Sequence, residues 1–90
     1  MRYINTNTEF RQYSSPGNNN IPTNRNTLIS ICIQNLGGVD IRVNNTWTVQ
    51  PGDSFVNSQP SGYVDTTSYS VQIDPADANA LVNVSTTNIA

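Results

Sequence analysis

Histidine and lysine are absent from this chain, and cysteine occurs once, as Cys32. Each absence removes a class of chemistry. Ser–His–Asp and Cys–His catalysis need an imidazole to move the proton. Transition-metal centres draw on His and Cys, and one thiol cannot assemble such a site. A single cysteine also excludes an internal disulfide. Cys32 lies in the apolar run Leu28-Ile-Ser-Ile-Cys-Ile33, with no neighbouring cation to favour the thiolate. It is expected to be a small, buried, unreactive hydrophobe.

Charge is sparse as well. Arg2, Arg11, Arg25 and Arg42 are the basic side chains, and the formal net charge is −2. Scattered arginines do not make the cationic patch that phosphate backbones require, so no direct nucleic-acid partner is expected. No apolar run approaches the roughly 20 residues of a membrane-spanning helix. Met1-Arg-Tyr-Ile-Asn-Thr-Asn7 lacks an apolar signal core. Neither a membrane partner nor secretion is therefore expected, and the sequons at Asn44 and Asn83 read as chance matches. The acids fall in no Asp-x-Asp-x-Asp-Gly loop, which argues against calcium. Gly37-Gly38 is followed by neither Lys nor a helix, so it reads as a tight turn before a strand, not a phosphate loop. Ninety residues make one domain, with little room for a cleft beside a core. The expectation is a protein with no enzymatic activity, no cofactor and no metal.

What is present is polar and uncharged. Asn, Ser and Thr supply more than a third of the residues. Such a surface needs little desolvation of charge when it meets a neutral partner. In residues 1–27 the apolar side chains are widely spaced and follow no sustained period, and Pro16-Gly-Asn-Asn-Asn20 and Pro22 have loop composition. This segment is expected to be an extended N-terminal arm that orders on its own or a neighbouring domain. Its partner-binding residues would be Tyr3, Ile4, Phe10, Arg11 and Tyr13, because aromatic anchors and Arg in a polar segment suit contact.

From Leu28 onward, residues 28–90 read as a β domain. Ile29, Ile31 and Ile33 alternate with polar or small residues; so do Val39, Ile41 and Val43, then Trp47 and Val49, then Tyr69, Val71 and Ile73, then Val82 and Val84. Period two with β-branched and aromatic residues marks half-buried antiparallel strands. The spacing of the turns predicts an all-β fold, a small antiparallel sandwich or barrel of six to seven strands. Pro75 to Ala80 is expected to form one helical turn capped by Asp74.

The hairpin register follows from the faces. A two-residue Asn44-Asn45 loop would pair each apolar residue with a threonine. A three-residue loop, Asn44-Asn45-Thr46, pairs Val43 with Trp47 and Ile41 with Val49, with an Asn in the left-handed region. Gln50-Pro-Gly-Asp53 reads as a type II turn returning Phe55 to the core. Trp47 is expected to be the largest core side chain.

The run from Asn35 to Ser54, Asn-Leu-Gly-Gly-Val-Asp-Ile-Arg-Val-Asn-Asn-Thr-Trp-Thr-Val-Gln-Pro-Gly-Asp-Ser, resembles a pattern in small virion proteins of tailed bacteriophages. There an N-x-G turn, an I/V-x-V-N strand and a V/L-x-P-G-D/E-S turn follow one another in a compact β domain. The resemblance implies a structural role as an auxiliary (decoration) capsid protein, or alternatively a neck, fibre or tail component. It implies the major capsid protein or other virion proteins as partners, many copies per particle, and a virion location after assembly in the host cytoplasm. A glycan- or surface-binding β module is the competing expectation, with Tyr63 beside Asp65, or Trp47, as its contact residues.

Overall fold

The computed structural model describes residues 5–24, 26–60, 62–74 and 79–90. Among them are eight strands and no helix: β1 (Thr6–Tyr13), β2 (Gly17–Ile21), β3 (Leu28–Asn35), β4 (Ile41–Val43), β5 (Trp47–Val49), β6 (Ser54–Ser58), β7 (Tyr69–Ile73) and β8 (Val82–Ile89). The helical turn expected at 75–80 falls largely outside the described residues.

The strands form two four-stranded antiparallel sheets, β1-β8-β3-β6 and β2-β7-β4-β5. The pairing is nested. The first strand pairs with the last, β2 with β7, β3 with β6 and β4 with β5. Of the seven connections, only the β4–β5 hairpin stays within one sheet. A long antiparallel hairpin rolled up in this way is the jelly-roll topology. The core lies between the sheets. Ile31, Ile33, Val82 and Val84 from one sheet meet Ile41, Val43, Val49, Val71 and Ile73 from the other.

Eight strands replace the expected six to seven because β1 and β2 carry no apolar period. Both lie at sheet edges within residues 1–27. In β1 every residue but Tyr13 is exposed. In β2 the inward positions are Gly17, Asn19 and Ile21, and Asn19 is held by donating to the Ser15 carbonyl at 2.8 Å. Backbone pairing to β8 and β7 places these segments, and side-chain patterning cannot reveal such pairing.

The hairpin has the expected register, Val43↔Trp47 and Ile41↔Val49. Both asparagines of its loop are left-handed, Asn44 at φ 53° and Asn45 at φ 55°. The turn at 50–53 closes with the Asp53 N–H donating to the Gln50 carbonyl at 2.9 Å, with Gly52 at φ 85°. Phe55 packs against the core.

Three expectations are corrected. Ile29 does not share the face of Ile31 and Ile33: the ladder to β8 shifts between Leu28 and Ser30, so Leu28 is buried and Ile29 is displaced. One extra residue in a strand reverses the alternation beyond it. Trp47 is not a core residue but 48 % exposed. Its face is the one expected, but β5 is an edge strand, with no further strand beside it among the described residues. Its ring lies 5.2 Å from that of Phe55, which lies 6.2 Å from that of Tyr69, and this aromatic row closes the open side of the sandwich. Cys32 is only partly buried, since it points away from the core between Ile31 and Ile33.

Gly37-Gly38 turns the chain without a left-handed residue. Gly37 is needed for another reason. A Cβ there would collide with the Asn79 carbonyl oxygen and sit 2.6 Å from the Leu81 nitrogen. The backbone takes this approach to let Leu36 and Gly37 N–H groups donate to the Leu81 carbonyl, at 2.9 and 3.0 Å.

Candidate interaction surface

The two outer faces of the sandwich differ in chemistry. On β1-β8-β3-β6 the register aligns outward side chains in rows across all four strands. One row is Thr8, Thr87, Ser30 and Ser58; the next is Phe10, Ser85, Cys32 and Val56; the third is Gln12, Asn83, Gln34 and Ser54. None of these is charged. Hydroxyls satisfy each other along the first row, Thr8 Oγ1 with Thr87 Oγ1 at 3.1 Å and Ser30 Oγ with Ser58 Oγ at 3.0 Å. The middle row ends in two exposed apolar side chains, Phe10 at 80 % and Val56 at 61 %.

Beside Phe10 runs a groove of about 470 Å³ lined by Gln12, Gln34, Asn83 and Ser85. The Asn83 carboxamide oxygen is shielded from solvent and accepts no hydrogen bond. Beyond the first row, the displaced Ile29 joins Ile89, Val64, Pro60 and Tyr63 around a smaller apolar hollow of about 160 Å³. Tyr63 is 66 % exposed.

The outer face of β2-β7-β4-β5 is charged and internally bonded. Gln72 is its hub. Its Nε2 donates to Asn18 Oδ1 and, at 2.7 Å, to Ser70 Oγ, and its Oε1 accepts from the Asn45 N–H at 2.6 Å. Asn44 donates to the Ser68 carbonyl and accepts from the Ser70 N–H at 2.8 Å. Between this network and the 38–40 loop lies a concavity of about 780 Å³ lined by Asn18, Asp40, Arg42, Thr48, Gln72 and Asp74.

The residues expected to bind a partner are not brought together. Tyr3 and Ile4 lie outside the described residues. Phe10 is on the outer face. Arg11 projects from the opposite side of β1, 3.5 Å from Glu9, and Tyr13 packs against the core. Asp65, expected beside Tyr63 at a glycan contact, is buried. It accepts hydrogen bonds from the Tyr69 hydroxyl, from Asn57 Nδ2 at 3.2 Å and from the Thr67 N–H at 2.9 Å. Burial pushes its carboxyl up, but the bonds from Tyr69 and Thr67 outweigh burial and hold it below the usual carboxylate range. Burial, and then the bond to Asp65, push the Tyr69 hydroxyl up. This group is an internal clasp. Sequence reading missed Val56, whose alternation with Phe55 on a short strand was the available signal, and Cys32, whose even position in β3 was another.

Comparison with protein-family models, with curated proteins and with solved structures finds no match to this chain.

Proposed function

We propose that the chain is a non-enzymatic structural protein of a virus particle, an auxiliary capsid subunit that docks through the outer face of β1-β8-β3-β6. The carrying observation is the middle row of that face, where Phe10 and Val56 stand exposed in an array without charge. Exposed apolar side chains at both ends of a row, with uncharged hydrogen-bonding groups between and beside them, give a surface that a neutral partner covers with little desolvation of charge. The jelly roll recurs in viral capsid and lectin domains, which is support by analogy of fold. The resemblance of residues 35–54 to phage virion proteins points the same way. Mass spectrometry of purified particles tests this setting: the chain is expected as a stoichiometric component, and its absence from every particle its source makes overturns the reading.

The concavity around Arg42 and Gln72 favours a second reading, a glycan-binding module. Its amide, hydroxyl and carboxylate groups suit sugar hydroxyls. A glycan array with hits abolished by Arg42→Ala or Gln72→Ala supports it; an array without hits rejects it.

A further inference from the structure

The outer edge of β1 is a surface distinct from the face. β1 has eight residues and, among the described residues, nothing pairs with its outer side. It is neither short nor interrupted by proline or a bulge, and the charges it carries, Glu9 and Arg11, are of opposite sign. The direction of its free groups follows from the ladder. The Ala90 N–H donates to the Asn5 carbonyl at 2.9 Å, so the odd positions of β1 bond to β8. The N–H and C=O of Thr6, Thr8, Phe10 and Gln12 therefore point outward, unpaired among the described residues.

We propose that β1 pairs antiparallel with β1 of a second copy of this chain, about a twofold axis at Phe10. The residues around Phe10 are complementary to themselves. With Phe10 opposite Phe10 of the other copy, Glu9 of each chain faces Arg11 of the other, and both Glu–Arg contacts lie on one face of the new ladder. The same register makes Phe10 a bonded pair with its counterpart and Thr8 a bonded pair with Gln12, which satisfies the outward groups of all three. One step of two residues either way destroys the match, setting Glu9 against Glu9 or Arg11 against Arg11. Opposite charges across a strand pair stabilise it and like charges oppose it, so the sequence selects one register. The Glu9–Arg11 contact within one chain, at 3.5 Å on an exposed surface, is weak and free to exchange across the axis. Self-pairing extends the sheet to eight strands and joins the two uncharged faces, with the two Phe10 rings adjacent at the centre. The interface is isologous and closes as a dimer.

The test is sedimentation equilibrium of the full chain over a range of concentrations. Wild type is expected to pass from monomer mass to twice that mass. Glu9→Arg alone and Arg11→Glu alone each set like charges across the axis, and each is expected to weaken the dimer by about tenfold or more. The two variants mixed restore opposite charges in every pair and are expected to recover dimer mass. Circular dichroism confirms that both retain the strand spectrum. A wild type that stays monomeric at every concentration, single variants that dimerise like wild type, or a mixture that fails to recover overturns the proposal. The readout uses the isolated chain, so its failure leaves the docking face intact as a reading, and failure of the particle assay leaves this one intact.

Discussion

Asn35 is fully buried, and its side chain is fully used. Its Nδ2 donates to the Val39 carbonyl at 2.7 Å and the Val49 carbonyl at 2.9 Å, while Oδ1 accepts from the Gly37 N–H at 3.2 Å. One amide thus ties the end of β3 to the loop before β4 and to the end of β5. Asn35→Ala leaves those carbonyls without donors in the core and is expected to cost about 3 kcal/mol in urea unfolding. Asp65 carries a pH dependence. Its carboxyl is depressed in the folded state, so its contribution is present above the unfolded value and is lost as pH falls through the folded one. Stability is expected to drop below about pH 4, with the drop attenuated in Asp65→Asn. Asn35 was legible only as a turn residue and Asp65 only as a surface acid, because partners distant in sequence decide whether a polar group is buried. Trp47 shows the complementary limit. Alternation correctly assigned its face, but depth depends on strand order, which periodicity does not contain. Its emission is expected to be that of a half-exposed indole, readily quenched by acrylamide.

At the scale of the element, the β4–β5 hairpin was the most legible part of the fold. Register, loop length and left-handed geometry all followed from matching Val43 and Ile41 to their partners. The loop makes a direct prediction. Asn45 is left-handed, and only its backbone N–H is engaged, by Gln72. Asn45→Gly is expected to be near neutral, whereas Asn45→Val is expected to cost about 1–2 kcal/mol by thermal or urea unfolding. Gly37→Ala is expected to destabilise for a different reason, because it forces apart the backbone of the loop and the segment entering β8. The least legible elements were β1 and β2. Neither buries an apolar stripe, so nothing in their composition separates an edge strand from a loop.

At the scale of the molecule, nesting makes the first strand a neighbour of the last. Removing residues 1–20 would strip β1 and all of β2 except Ile21, exposing β8 and β7 as new edges. Such a truncation is expected to unfold at markedly lower urea than the full chain, or to aggregate. The same nesting aligns Phe10, Ser85, Cys32 and Val56 from four strands in one row. For the proposed docking through this row the chain carries its own probe. Cys32 is the single thiol and lies partly exposed within the row. The most direct measurement is its alkylation rate in the free chain and in the chain bound to purified particles. Labelling is expected when the chain is free and strong protection when it is bound, with Phe10→Asp combined with Val56→Asp abolishing both binding and protection. Equal labelling of Cys32 in the free and bound chain would contradict it.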